Sequence, residues 1–154
     1  QDAQHAQVIE NVAKPGHPAR FASVGQRVGL ERIAPVNGRG LAVADYDSDG
    51  DLDVAINTIG GRLILLRNNA PKRHWLEVGL RGFAPGALVT ALLPDGRRLD
   101  REVHAGSSYL SSEDPRVHFG LGDATRIREL RVRLPDGRRI VRTNVAADQI
   151  VVVG

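Results

Sequence analysis

Five aspartates fall within nine residues of this chain, at every second position from 45 to 53. Carboxylates this close repel one another, so a fold can hold them only in a solvated turn or around a cation. The first, third and fifth positions direct side-chain oxygens into one hollow, and Gly50 at the sixth allows a sharp turn. The segment therefore predicts a loop that binds an ion. The acidic positions are Asp45, Asp47, Asp49, Asp51 and Asp53.

Calcium is the predicted ion, because several hard, anionic oxygen donors with flexible geometry suit Ca²⁺ better than Mg²⁺ or zinc. We expect Asp45, Asp47, Asp49 and Asp53 to bind it through side chains and Asp51 through its carbonyl. The loop is not an EF-hand, since its twelfth position would be Ile56 where that motif needs Glu. A solvated acidic turn without an ion is the alternative.

Strand periodicity surrounds this loop and continues to the end of the chain. Apolar residues recur at every second position, as in Leu52, Val54 and Ile56, and nearly all helix signals are absent after residue 20. Two copies of a Leu-Pro-Asp-Gly-Arg-Arg hairpin signal occupy residues 93–98 and 134–139. The fold class predicted is all-β, with two similar hairpins in one small β-sandwich or barrel.

The polar residues 1–18 predict an N-terminal arm, with a short helix over residues 3–12. The sequence Asn-Asn-Ala-Pro at residues 68–71 interrupts the strand pattern and marks a boundary. We therefore divide the chain into the arm (residues 1–18), the blade region (residues 19–71) and the sandwich region (residues 72–154).

The amino-acid composition excludes several kinds of site and function for this chain. Cysteine is absent, which excludes a disulfide framework, thiolate metal sites and Cys nucleophiles. No apolar run approaches the length of about 20 residues that a membrane-spanning helix needs. The net charge is +3, yet no nucleic-acid motif is present and no aromatic residues are interleaved with the arginines.

Two segments resemble known families. Residues 38–45 and 53–57, followed by Arg67, Asn68 and Asn69, resemble an FG-GAP repeat of the VCBS type. The resemblance implies one antiparallel blade of a β-propeller, with the five aspartates as calcium positions. Only one such repeat is present, so this chain alone cannot complete a propeller.

Residues 101–112 and 114–122 are similar to the ASPIC/UnbV domain, and the similarity extends over about residues 74–153. That resemblance implies a β domain found after FG-GAP repeats in secreted proteins. The predicted architecture is a propeller-blade-like sheet with a calcium loop, packed against a small β-sandwich or barrel.

A serine-rich segment raises the question of catalysis. His104, Ser107, Ser108, Asp114 and His118 supply the residue types of a catalytic triad. The spacing matches no nucleophile elbow, because Gly-x-Ser-x-Gly is missing. We expect the serines beside Gly106 to bond backbone groups in a tight turn and His118 to be a hydrogen-bonded, half-buried side chain, since it alternates with Val117 and Phe119. We therefore predict that the chain is not an enzyme.

Seven arginines within 17 residues predict either a patch for an acidic glycan or acidic protein surface, or an ordinary solvated face. Arg131 and Arg133 share a face opposite Leu130, Val132 and Leu134. The seven are Arg126, Arg128, Arg131, Arg133, Arg138, Arg139 and Arg142.

The function predicted is an extracellular, calcium-binding, non-catalytic interaction or adhesion module, located in the secreted, cell-surface or periplasmic space. An open acidic loop belongs to the affinity class of about 10⁻⁴ to 10⁻³ M, which suits extracellular calcium. The predicted partners are further blades or a second copy of the chain. The alternatives are a subunit of a self-assembling fibre held by the arm, and an accessory domain of a secreted enzyme.

Overall fold

The computed structural model describes residues 3–14 and 16–154, and this part of the chain contains twelve β-strands and no α-helix. One 3₁₀ turn lies at Leu30–Arg32. The predicted all-β fold class is confirmed. The strands are β1 (Ile9–Asn11), β2 (Phe21–Ser23), β3 (Gly38–Ala44), β4 (Asp53–Thr58), β5 (Ile64–Leu66), β6 (His74–Leu80), β7 (Leu88–Leu92), β8 (Arg98–Glu102), β9 (Val117–Gly122), β10 (Arg126–Arg133), β11 (Arg139–Ala146) and β12 (Gln149–Val153).

The sandwich region consists of two sheets, with strand orders β11-β10-β7-β8 and β12-β6-β9. Strands β12 and β6 are parallel, and the other pairs in these sheets are antiparallel. Both sheets contribute apolar side chains to one core, which makes this region a sandwich rather than a closed barrel. The largest core side chains are Leu76, Val78, Val89, Leu93, Phe119, Leu121, Ile127, Leu130, Val132 and Val153.

The two repeated signals form the predicted hairpins, which join β7 to β8 and β10 to β11. In each turn the aspartate accepts a hydrogen bond from the backbone amide two residues on, at 2.9 Å for both Asp95 and Asp136. Gly96 and Gly137 adopt φ angles of 89° and 88°, a conformation that glycine reaches without a Cβ penalty.

The blade region forms a three-stranded antiparallel sheet in the order β3-β4-β5. Ile56 is its one buried hydrophobic side chain among the residues described, whereas Leu41, Leu63 and Leu65 are exposed. One apolar face borders an open cleft of about 550 Å³. The hydrophobic core therefore lies almost entirely in the sandwich region.

The predicted helix over residues 3–12 is wrong. Ile9–Asn11 instead forms β1 and pairs with β2, and Gln4 makes an isolated bridge with Val36. The segment has no apolar stripe to bury as a helix, whereas strand pairing satisfies its backbone groups. Gln1, Asp2 and Pro15 of the arm lie outside the described residues. No helix of the described chain is long and apolar enough to span a membrane.

We predict that stability depends on the sandwich core and little on the outer face of the blade. Leu130 is fully buried, so Leu130→Ala should lower the free energy of unfolding by about 2 to 5 kcal/mol. Leu65 is 46% exposed, so the matched Leu65→Ala should change it by about 0.5 kcal/mol. Urea unfolding measures both. Equal losses in the two variants would contradict this distribution of the core.

Candidate metal centre

The acidic segment connects β3 to β4, and the pairing of Ala44 with Asp53 brings its two ends together. Two residues of the connection have positive φ, Ser48 at 60° and Gly50 at 91°. The left-handed conformations let the backbone curl back on itself within a few residues. The strand pairing on either side therefore fixes where the loop begins and ends, as its sequence context predicts.

Two buried aspartates hold the loop in shape. Asp45 is 7% exposed, and its oxygens accept hydrogen bonds from the amides of Asp49 and Gly50, both at 2.9 Å. Asp53 is 2% exposed and accepts from the amides of Tyr46 at 3.1 Å and Asn68 at 2.7 Å. Backbone amides thus compensate part of the negative charge of these two carboxylates.

Three of the predicted ligands converge. Asp45, Asp47 and Asp49 each offer a carboxylate oxygen, and these oxygens lie within 4.8 Å of one another. Such a set of hard, anionic donors fits a divalent cation, so this cluster could hold a metal ion. Asp51 and Asp53 are not part of this group. Asp51 pairs with Lys72, and Asp53 accepts hydrogen bonds from backbone amides.

Two cationic side chains lie on the loop. Arg67 Nη2 is 2.6 Å from Asp47 Oδ2 and 3.3 Å from Asp49 Oδ2. Lys72 Nζ is 2.6 Å from Asp49 Oδ2 and 3.0 Å from Asp51 Oδ2. Sequence reasoning missed both contacts. The available signal was their position just after β5, which pairs with β4 and so returns the chain to the loop.

The sandwich region contacts the loop at Gly50. His118 Nε2 lies 2.8 Å from the Gly50 carbonyl oxygen. Because a carbonyl oxygen only accepts, Nε2 bears the ring hydrogen in this contact and donates it to Gly50. The Trp75 and His118 rings stack with centroids 6.3 Å apart. A Cβ atom on Gly50 would lie 2.1 Å from the Trp75 ring, so a larger residue cannot be accommodated without movement.

A charged cluster lies next to this contact in the sandwich region. Glu77 is 2% exposed, and its Oε2 lies 2.8 Å from Arg116 Nη1 without hydrogen-bond geometry. Burial raises the pKa of Glu77 above its ordinary value, and the charges of Asp114 and Asp45 act in the same direction. The Arg116 charge opposes this shift only in part. Hydrogen bonds from Arg116 lower the pKa of Asp114. Asp45 thus acts electrostatically across the boundary between the two regions.

Three of the five residues considered for catalysis make other contacts, and the remaining two, His104 and Ser107, are exposed. Ser108 Oγ accepts a hydrogen bond from the Leu41 amide at 3.2 Å, and Asp114 binds Arg116. His118 is engaged with Gly50. Among the described residues no serine hydroxyl is bonded to a histidine ring, so the nucleophile–base contact that defines a triad is missing in this arrangement.

The arginine set is divided between different environments. Arg131 pairs with Glu129, Arg138 with Asp136 in its own turn, and Arg126 donates to Asn144 at 2.8 Å. Arg133 and Arg139 lie opposite each other on β10 and β11. The next strands of this sheet, β7 and β8, contribute Thr90, Asp100 and Glu102. Charges of both signs therefore alternate on this face, as on an ordinary solvated surface.

We predict that Lys72 sets the ionisation of Asp49. The pKa of Asp49 is lowered from 3.8 to about 2, and the hydrogen bond from Lys72 contributes most to this shift. Because folding lowers this pKa, the interaction stabilises the fold above pH 4 and is lost as the pH falls towards 2. Lys72→Gln should raise the pKa of Asp49 towards 3.8 in a carboxyl NMR titration in chelator. Lys14→Gln is the control, and a parent pKa of 3.8 would contradict the prediction.

Comparisons with known proteins agree with the C-terminal architecture. The family model described as "ASPIC and UnbV" matches residues 78–154. Cartilage acidic protein 1 of Homo sapiens is 33% identical over 121 residues, which cover 73% of this chain. The protein of the same name from Xenopus tropicalis is 33% identical over 114 residues, or 69% of the chain.

A third relative has a different name. A putative NADH dehydrogenase/NAD(P)H nitroreductase of Stutzerimonas stutzeri (strain A1501) is 29% identical over 146 residues, 80% of this chain and 74% of its own length. The region of similarity to this chain makes up 18% of the length of each of the two cartilage acidic proteins. The family match covers half of the chain and contains most of the sandwich core. This chain therefore belongs to the ASPIC and UnbV family.

Proposed function

We propose that this chain is a calcium-binding, non-catalytic interaction module that works outside the cytoplasm. The observation that carries the proposal is the convergence of the Asp45, Asp47 and Asp49 carboxylates. They lie in a loop whose backbone is already shaped by the buried Asp45 and Asp53. Membership of a family that includes cartilage acidic protein 1 supports an extracellular location.

Calcium fits the donor set better than the smaller magnesium ion. Carboxylates of mixed exposure leave room for water and for irregular coordination, which Ca²⁺ accepts and Mg²⁺ does not. Asp45, Asp47 and Asp49 would hold the ion, with the Asp51 carbonyl and the Asp53 carboxylate as additional ligands. The bound ion would supply the positive charge that offsets the repulsion between the aspartates.

Arg67 and Lys72 must compete with this ion. Both bind oxygens of Asp47 or Asp49, and a divalent cation at the same oxygens would repel them. Calcium binding therefore has to displace two side chains that are more than half exposed and can move into solvent. This competition weakens the affinity, which is tolerable where calcium is abundant and fits an extracellular site.

The interaction role rests on the blade region. Its sheet buries little apolar surface and leaves Leu41, Leu63 and Leu65 exposed. Leu41 and Leu65 lie on opposite faces of this sheet, because their partners on β4, Ile56 and Ala55, are adjacent residues. Further blades or a second copy of the chain would cover these side chains, and we propose these as partners. A fibre held by the arm has less support, because Gln4 and β1 are paired within their own chain.

We predict that the chain has no catalytic activity of its own. The name of the Stutzerimonas stutzeri relative defines the assay, which is oxidation of NADH with a nitroaromatic acceptor. The serine and histidine contacts define a second assay, labelling by a serine-reactive fluorophosphonate. We expect neither NADH consumption nor labelling of Ser107 or Ser108. Turnover that depends on protein concentration, or stoichiometric labelling, would contradict the proposal.

We predict that calcium raises the melting temperature. Linkage gives about 2.7 kcal/mol when free calcium is about one hundred times the dissociation constant, or roughly 5 to 10 °C for a chain of this length. Asp47→Ala should abolish most of the shift, because it removes a ligand oxygen together with its charge. Asp136→Ala makes the same change in a distant hairpin and should keep the shift. Identical melting curves of the parent in calcium and in chelator would contradict the calcium site.

A further inference from the structure

Two glycines of the blade region lie in close contact with the sandwich region. A Cβ on Gly40 would be 2.1 Å from Ser111 Oγ and 3.2 Å from the Tyr109 carbonyl oxygen. A Cβ on Gly50 would be 2.1 Å from two atoms of the Trp75 ring. The backbone therefore lies very close to the sandwich region at two places, near the start of β3 and in the loop between β3 and β4.

Gly50 joins the acidic loop to the sandwich region through its two backbone groups. Its amide donates to Asp45 Oδ2 at 2.9 Å, and its carbonyl oxygen accepts from His118 Nε2 at 2.8 Å. The stacked Trp75 ring fixes the His118 ring from one side. Gly50 thus helps to orient the candidate ligand Asp45 and also accepts a hydrogen bond from His118 on β9.

We propose that Trp75 and His118 are positioning residues for the ion, so that calcium binding and docking of the two regions stabilise each other. This inference rests on the calcium site proposed above. If the docked loop binds calcium more tightly than the undocked loop, calcium must favour docking by the same factor. The blade region has Ile56 as its one buried hydrophobic residue among those described, so the loop contact matters to its placement.

Calorimetry on three forms of the whole chain tests the coupling. His118→Phe keeps a ring for stacking on Trp75 and removes the donor to Gly50, so we expect calcium to bind about threefold to tenfold more weakly. His118→Gln keeps a side-chain N–H donor and should restore most of the affinity. His17→Phe is the control for adding an aromatic ring, since His17 is exposed, and should bind like the parent.

Fluorescence provides a readout that a general loss of stability would not imitate. Trp75 is the single tryptophan of the chain, so its emission reports on this contact alone. Calcium should reduce quenching of Trp75 by acrylamide in the parent, because docking shields the ring. The same addition should have little effect on Asp47→Ala, which lacks that ligand. Melting curves in chelator identify any variant that fails to fold.

The outcomes separate the two proposals. If the parent binds calcium and His118→Phe binds it within twofold as tightly, or Trp75 quenching is unchanged by calcium, the coupling is wrong and the calcium site remains. If the parent binds no calcium, both proposals are wrong. Weaker binding by both His118→Phe and His118→Gln, with normal folding, would overturn the assigned role of the His118 hydrogen bond.

Discussion

Repulsion among five aspartates in one short loop is the constraint on which the blade region depends. The chain balances it in two ways, with backbone amides on Asp45 and Asp53 and with the cations Arg67 and Lys72. In addition, His118 of the sandwich region holds the Gly50 carbonyl. Each of these contacts also determines the loop conformation. A loop shaped in this way brings carboxylate oxygens of Asp45, Asp47 and Asp49 within 4.8 Å of one another, a group that could hold a metal ion.

The two regions contribute unequally to stability. The sandwich region buries a continuous core between two sheets, whereas the blade region has an open apolar face and few buried side chains. A three-stranded sheet that buries one hydrophobic side chain, Ile56, gains little stabilisation from burial and needs support from the rest of the chain. In this chain the contacts at Gly40 and Gly50 supply part of that support. The acidic loop therefore lies where the blade region meets the more stable sandwich region.

Sequence reasoning recovered the features that are encoded locally. Period-two alternation gave the strands, Asp-Gly pairs gave two hairpins, and the acidic spacing located a loop that gathers Asp45, Asp47 and Asp49. The ASPIC/UnbV resemblance is confirmed by the family match, while the FG-GAP resemblance of the blade region remains a prediction. These signals succeed because each depends on neighbours within a few residues.

Features that depend on distant pairing could not be predicted in the same way. The contact of His118 with Gly50 joins residues 68 positions apart and requires the docking of two regions. The arm pairs with β2 as a strand because tertiary hydrogen bonds outweigh its weak helix propensity.

The most direct test of this account is a high-resolution crystal structure of the whole chain grown in calcium. We predict one ion at about 2.3 to 2.6 Å from oxygens of Asp45, Asp47 and Asp49. Arg67 and Lys72 should be displaced, and the Gly50 carbonyl should still accept a hydrogen bond from His118. An ion bound elsewhere, or a calcium-loaded loop that has separated from Trp75 and His118, would contradict the central claim.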